Sequence, residues 1–297
     1  MSASFEFPLW AIFGLGAAVL STAMMLVQEK FKADGFSLAY WNKVFCAVIM
    51  IPFVIWQGLP DSPVFYALLA AQALLWVVSD VIFFRAIPAV GSGVVSRIRP
   101  IAVIFTFVIW FFVDPKTLDL YLQTPVRFAL IFLVLCGSVY FTMRIKKCPV
   151  TWAAIKMIWF VIFASAVGPI MAKLVMQHAP LSQAPFAWVF CEALFMLTLW
   201  SLYYAVRRPV ALSTLISPLS IRTGGYVALI ASVMVILNVV AIHYADNPAY
   251  LPAIKFLDSI IILGVYKLQG RKETADVRAG MGIVACATAL IILKSWV

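Results

Sequence analysis

The sequence predicts an all-α polytopic membrane protein, with ten transmembrane helices arranged as a five-plus-five inverted repeat. Of its 297 residues, 65% are hydrophobic and 11% are charged, whereas a soluble domain is about half apolar and about a quarter charged. Its apolar runs are about 20 residues long, which is the length a helix needs to cross a bilayer. The third observation is an internal repeat that covers the chain.

The predicted spans are separated by short connections that carry proline, serine, threonine and charge. These residues favour turns and helix ends. No long polar insertion interrupts the chain, so we expect no additional soluble domain. The spans are predicted at residues 8–27, 38–56, 64–84, 93–113, 126–143, 151–175, 184–206, 224–244, 250–268 and 276–294.

Two pairs of similar segments carry the repeat: residues 21–56 resemble 165–200, and residues 80–100 match 238–258. We therefore expect an N-terminal repeat over 1–147 and a C-terminal repeat over 148–297, with five helices in each. An odd number of spans reverses the orientation of the second half. The pseudo-two-fold axis then lies in the membrane plane, as in many secondary transporters.

Polar residues recur at matched positions of the two hydrophobic halves. The matched pairs are Asp80 with Asn238, Arg85 with His243, and Arg97 with Lys255. Substrate sites of repeat-built transporters lie near the bilayer midplane, at the interface of the repeats. The repeat therefore predicts that these residues face a shared site.

The chain also resembles the drug/metabolite transporter superfamily, of the EamA type. In that family the third and eighth helices run into a short loop of small residues, followed by a helix that carries a proline. Residues 83–100 fit this pattern, and residues 241–258 fit it with Asp258 in place of the proline. Residues 268–293 resemble the family's ending, with a glycine, a basic–acidic pair, a threonine and a glycine-rich last helix. The resemblance implies the ten-helix fold and a transport function.

Arg97 and Lys255 are the strongest candidates for substrate binding. A guanidinium or ammonium group is costly to bury in a bilayer, so an intramembrane cation indicates function. The resemblance places both residues on inner helices that line the cavity. There, Arg97 offers a planar fork for carboxylate or phosphate, and Lys255 a compact charge. Alternatively, Arg97 pairs permanently with Asp80 or Asp258 and only joins helices.

Acidic residues within the spans are candidates for coupling transport to protons: Asp80, Glu192 and Asp258. A buried carboxylate that lacks a partner can carry a proton. Asp80 is the first candidate because its repeat mate, Asn238, cannot ionise. Alternatively, the three acids neutralise the intramembrane cations permanently.

Glu29 and Lys173 are repeat mates, and we expect a charge bridge between them near one mouth of the cavity, acting as a gate or as a structural link. His243 is a further candidate for coupling. With one other histidine in the chain, we expect no metal site and no cofactor. Trp76 lies one turn before Asp80 and can form a cavity wall, and Tyr250 is a second aromatic candidate.

These features predict a secondary transporter of a small organic anion, phosphorylated or carboxylated, that works by alternating access. The first alternative is an exporter of zwitterionic amino acids or metabolites. The next is a flippase for a lipid-linked substrate. We expect no enzyme, because the chain lacks H-E-x-x-H, G-x-S-x-G and a phosphate loop.

The expected location is a bacterial inner membrane, with protons as a coupling ion, as a monomer or homodimer. The net charge of +10 comes from basic residues that flank the spans, so we expect no nucleic acid partner. The basic residues are concentrated on one side of the predicted topology, which favours termini outside the cell. The family resemblance favours termini in the cytoplasm.

Overall fold

The computed structural model describes residues 8–98, 101–145, 152–270 and 276–295. In these ranges the chain is helical and contains no β-strand. The helices are α1 Leu9–Phe31, α2 Gly35–Gln57, α3 Pro63–Val90, α4 Ser92–Ile98, α5 Ala102–Val113, α6 Pro115–Leu122, α7 Pro125–Arg144, α8 Trp152–Met176, α9 Ala184–Arg207, α10 Leu212–Leu215, α11 Pro218–Tyr244, α12 Tyr250–Ile254, α13 Leu257–Leu268 and α14 Val277–Ser295.

Eight helical segments in the described part are long and apolar enough to cross a membrane. They are α1, α2, α3, the stretch Ser92–Val113 that contains α4 and α5, α7, α8, α9 and α11. The chain is therefore an integral membrane protein. The other two predicted spans, 250–268 and 276–294, coincide with α12 plus α13 and with α14. The predicted boundary between residues 147 and 148 lies outside the described residues.

Helix ends follow local chemistry. Proline occupies the first turn of several helices, where its missing N–H removes no hydrogen bond. The Asp34 side chain accepts a hydrogen bond from the Ser37 N–H and caps α2. Ser217 caps α11 through the Ser220 N–H in the same way. Gly91 ends α3 with a φ of 88°, which is accessible to glycine at little cost.

Within the described residues, the predicted span 250–268 is broken into α12 and α13. The break falls at Lys255 and Phe256, between Ile254 and Leu257. The predicted span 93–113 contains α4 and α5, and residues 99 and 100 between them lie outside the described residues. Broken helices expose main-chain groups, and at membrane depth these are tolerated where they are buried in protein or line a cavity.

The packing of the helices is similar when the two predicted halves are exchanged. α1 packs on α11, and its repeat mate α8 packs on α3. α2 packs on α9, and α7 on α14, which pairs each helix with its own mate. Close approach is possible where a glycine faces a large side chain. A Cβ on Gly224, for example, would lie 2.4 Å from Trp41 Cβ.

A candidate substrate cavity

A cavity of about 200 Å³ lies between helices of both predicted halves. Its wall includes the aromatic rings of Trp76, Phe83, Phe84 and Trp188. Four charged side chains line it, Lys43, Asp80, Glu192 and Lys255. Uncharged polar side chains complete the lining, from Ser21, Asn42, Gln72, Ser79, Ser165 and Asn238. The cavity can therefore hold a small molecule that has both apolar and charged parts.

The structure brings five of the predicted site residues together at this cavity. Trp76, Asp80, Glu192, Asn238 and Lys255 all line it. Asp80 on α3 and Asn238 on α11 are the repeat mates that were expected to share a site. Lys255 lies at the break between α12 and α13, where the helix interruption places its side chain on the cavity.

Lys43 and Glu192 form a buried ion pair in the cavity wall. Lys43 Nζ lies 2.8 Å from Glu192 Oε2, and the two side chains are 9% and 6% exposed. Lys43 is on α2 and Glu192 on α9, so the pair links the two predicted halves. Asp80 is near enough to interact electrostatically with Lys43. Glu192 was predicted as a coupling residue, and its pairing with Lys43 was not predicted.

Trp76 is held against a glycine of α8. A Cβ on Gly168 would lie 2.7 Å from Trp76 Cζ2, closer than side-chain atoms approach. Gly168 thus gives the indole ring room to lie flat between α3 and α8, and both residues line the cavity. The predicted role of Trp76 as a cavity wall agrees with this placement.

Four polar atoms of cavity-lining residues are buried without a hydrogen-bond partner among the described residues. They are Gln72 Oε1, Ser79 Oγ, Ser165 Oγ and Asn238 Oδ1. An unsatisfied buried polar atom costs about 1–3 kcal/mol. Such atoms recover a partner if a ligand, a water molecule or a second arrangement of the helices reaches them. Their clustering here distinguishes the cavity from the apolar core.

Arg97 does not line the cavity, contrary to the expectation that it converges there with Lys255. Its side chain is buried, 1% exposed, and its Nε donates to the Gly93 carbonyl at 2.8 Å. Arg99 lies outside the described residues.

Asp258 joins α13 to α1. The Ser21 hydroxyl donates to Asp258 Oδ2 at 2.9 Å, and the Thr22 hydroxyl to the Asp258 carbonyl at 3.5 Å. Asp258 is buried, and it does not line the cavity. Its contact with Ser21, which does line the cavity, nevertheless connects it to the site.

Tyr250 was expected to contact substrate and lies instead behind the cavity lining. It is completely buried, with its ring 5.4 Å from the Trp10 ring. Lys294 Nζ lies 5.5 Å from the Tyr250 ring centre and 2.7 Å from Asp246 Oδ2. α12 therefore turns Tyr250 toward α1 and α14, because its neighbours Leu251 and Pro252 take the cavity side.

α6 supplies Tyr121 to the same aromatic group, with the Lys294 ammonium 5.5 Å from its ring centre. Burial raises the pKa of the Tyr121 hydroxyl, and the nearby Asp246 carboxylate adds to that rise. Tyr121 therefore stays neutral at physiological pH.

Glu29 holds the start of α4 and the end of α13. Its Oε2 accepts from the Ser92 N–H at 3.2 Å, from the Ser92 hydroxyl and from the Tyr266 hydroxyl. The Ser92 and Tyr266 oxygens are 2.8 Å apart. A carboxylate at a helix N-terminus is favoured by the free N–H groups there. Glu29 therefore connects α1 and α4 of one predicted half to α13 of the other.

Lys173 holds the end of α11. Its Nζ donates to the carbonyls of Ile242, His243 and Ala245 at 3.1, 2.8 and 2.8 Å. An ammonium is favoured by the free carbonyls at a helix C-terminus. The expected charge bridge with Glu29 is therefore replaced by two separate helix caps. The His243 side chain itself is exposed and lies away from the cavity lining.

The two caps lie at opposite ends of the bundle. α11 starts near the beginning of α2, since Trp41 Nε1 donates to the Leu215 carbonyl at 2.7 Å. It then runs for 27 residues, about 40 Å, to the carbonyls that Lys173 caps. We call these the Glu29 end and the Lys173 end. The cavity lining reaches Ala172, Ile242 and Leu251 at the Lys173 end and does not include Glu29.

Comparison with known proteins identifies the fold alone. No known protein family matches the chain, and no curated protein matches it. Chains of solved structures do match. One of them, described only as the crystal structure of a protein, superposes with a TM-score of 0.65 at 13% sequence identity. The superposition covers 97% of this chain and 99% of that chain, so the whole fold is similar to one already seen in a crystal.

Proposed function

We propose that this protein is a secondary transporter that moves a small zwitterionic metabolite, such as an amino acid, through the cavity by alternating access. The charge balance of the lining carries this proposal. Lys43 and Lys255 supply two positive charges, and Asp80 and Glu192 supply two negative ones. A molecule that carries one charge of each sign keeps this balance when it binds. A small apolar side chain would contact Trp76 or Trp188.

The architecture behind this proposal is a ten-span, five-plus-five inverted repeat of the drug/metabolite transporter type. Two observations support it. The helix packing has the same pattern when the halves are exchanged. The cavity lies between the halves, where transporters built from such repeats bind their substrates.

Alternating access requires that the two ends of the bundle open in turn. The Glu29 end is held across the halves by the Glu29, Ser92 and Tyr266 contacts. At the Lys173 end the cavity lining approaches the helix termini. We assign this arrangement to a state closed at the Glu29 end, in which Glu29 acts as the gate. Lys173 stabilises the end of α11 in the same state.

A small organic anion is the second candidate, and the position of Asp80 in the cavity lining favours it. If Asp80 is protonated, the four charged groups sum to one positive charge. An anion and a proton would then bind together, and Asp80 would couple transport to the pH gradient.

Uptake into proteoliposomes tests both candidates. Labelled amino acids, dicarboxylates and sugar phosphates are offered with and without an imposed pH gradient, after a thermal-shift screen of the purified protein against the same compounds. We expect saturable uptake of amino acids, and Lys255→Ala should weaken their binding about tenfold because it removes one positive charge from the cavity lining.

The Asp80→Asn variant separates the candidates. For an anion coupled to protons, it should keep exchange of substrate for substrate and lose accumulation driven by the pH gradient. For a zwitterion, it should weaken binding whether or not a gradient is present. Absence of uptake and of any thermal shift with all three classes of compound would contradict the transport proposal.

A further inference from the structure

The Lys43 ammonium has hydrogen-bonding capacity that the described part of the protein does not use. A lysine ammonium donates up to three hydrogen bonds. Among the residues that the structure describes, its one acceptor is Glu192 Oε2 at 2.8 Å. The remaining donors belong to a side chain that lines the cavity. A buried charge with spare donors is stabilised further by any acceptor that enters the cavity.

Glu192, the partner of Lys43, reaches the cavity from the second predicted half. It is on α9, four residues after Trp188, so both side chains lie on the same face of the helix. Both line the cavity. The ion pair therefore presents a cation from one half and a carboxylate from the other, next to an aromatic surface.

We propose that the Lys43–Glu192 pair is the binding site for the charged head group of the substrate, and that the substrate opens the pair as it binds. The substrate carboxylate accepts from Lys43 Nζ, and the substrate ammonium donates to Glu192. Each buried charge exchanges one opposite charge for another, so no charge is left without a partner. This inference rests on the proposed transport function and names the residues that recognise its substrate.

The two opposite charges of the Lys43–Glu192 pair favour a zwitterionic ligand at this site. A simple anion at Lys43 would leave the Glu192 carboxylate buried without its cation, which is costly. A simple cation at Glu192 would leave the Lys43 ammonium buried without its carboxylate, which is also costly. A molecule with both charges on adjacent atoms, as in an α-amino acid, avoids both costs.

Opening of the pair also gives substrate binding a mechanical consequence. The Lys43–Glu192 contact directly links α2 to α9. When the substrate takes over both charges, it replaces this link with a bridge that is one small molecule wider. Substrate binding thus changes the spacing of the two halves at the level of the cavity. Transport by two moving halves needs such a differential contact.

A charge swap tests the assignment. The double variant Lys43→Glu with Glu192→Lys keeps the ion pair, so we expect a thermal unfolding temperature close to that of the wild type. It also moves the cation to α9 and the carboxylate to α2, so the two charges that would bind the substrate head group exchange places. We expect uptake of a mixture of labelled L-amino acids to fall at least about tenfold. If the swap transports as the wild type does, the pair is structural only.

The ion pair between Lys294 and Asp246 provides a control away from the cavity. Its distance of 2.7 Å is similar, its Asp246 side chain is 64% exposed, and neither residue lines the cavity. The swap Lys294→Asp with Asp246→Lys should therefore leave amino-acid uptake within about twofold.

Single variants add a second measurement. Glu192→Gln keeps the size of the side chain and removes its charge, so the KM for labelled amino acids should rise about tenfold. The same variant should reduce the binding of simple carboxylates much less. Equal losses for the two classes of compound would overturn the head-group assignment.

If the swap disrupts folding, the Glu192→Gln comparison decides the question. A wild type that takes up carboxylates or phosphates and no amino acids would overturn this inference and leave the transport proposal standing. A wild type that takes up none of the compounds contradicts the transport proposal and this inference with it.

Discussion

Glu29 and Lys173 occupy matched positions of the predicted repeat, and they carry opposite charges because the helix ends they meet are opposite. Glu29 faces the start of α4, where free N–H groups point outward, and binds the Ser92 N–H. Lys173 faces the end of α11, where free carbonyls point outward, and binds three of them. The two positions matched by the predicted repeat therefore both stabilise a helix end, one with a negative and the other with a positive charge.

The two caps also differ in what they join. Glu29 is on α1, and its contacts reach α4 of the same predicted half and Tyr266 on α13 of the other half. Lys173 is on α8 and contacts α11 and Ala245, which follows α11, in its own half. A contact between halves must break when one end opens, whereas a contact within a half can persist. We therefore propose Glu29 as the gate and Lys173 as a structural cap.

Removing the Glu29 carboxylate should have the largest effect. Glu29→Ala leaves the Ser92 N–H, the Ser92 hydroxyl and the Tyr266 hydroxyl without their shared acceptor, which should cost about 3 kcal/mol in the free energy of unfolding. SDS titration of the purified protein measures this cost. Glu29→Gln, which retains one acceptor oxygen, is the control and should lose less than half as much.

The Glu29→Ala variant should also open the Glu29 end. In a background without other cysteines, a cysteine that replaces Ser21 in the cavity lining should react about tenfold faster with a membrane-impermeant thiol reagent added from the Glu29 side. Unchanged reactivity, together with normal folding, would show that Glu29 does not close this end.

Removing the Lys173 ammonium should have an intermediate effect on stability. Lys173→Met keeps the aliphatic length and leaves the carbonyls of Ile242, His243 and Ala245 without their donor, which should cost about 2 kcal/mol. The thiol reactivity of the cavity cysteine from the Glu29 side should not change. A rise similar to that of Glu29→Ala would abolish the distinction between gate and cap.

Removing a single hydroxyl at the gate should have the smallest effect. Tyr266→Phe deletes the contact between α13 and Glu29 and keeps the ring, so we expect a loss of about 1 kcal/mol. Because this is the cross-half contact of Glu29, thiol reactivity should rise more than stability falls. If stability falls while reactivity stays constant, the contact serves folding alone.

The sequence reveals some of the cavity residues and not others. Asp80, Asn238 and Lys255 are polar residues that recur in the repeat, and the structure places all three at the cavity. Lys43 matches Ala187 when residues 21–56 are aligned with 165–200, so the repeat draws no attention to it. Its partner Glu192 is 149 residues away in the chain. A sequence pattern does not indicate which of several cations on different helices will meet one acid.

By itself, the sequence determined the membrane class and the position of each predicted span along the chain. Each of the predicted spans overlaps one described helix or two consecutive ones. The physical reason is local: the favourable transfer of an apolar run into lipid, and the need to satisfy its main chain internally, depend on that run alone.

The tertiary structure decided which side chains face the cavity. Arg97 and Lys255 are repeat mates, yet Lys255 lines the cavity and Arg97 packs beside Gly93. The rotation of a helix about its axis, and the place at which it breaks, are set by packing against neighbouring helices. In the part of the chain that the structure describes, the α2–α9 contact brings Lys43 to Glu192. That contact, which no local pattern encodes, determines the charge of the cavity.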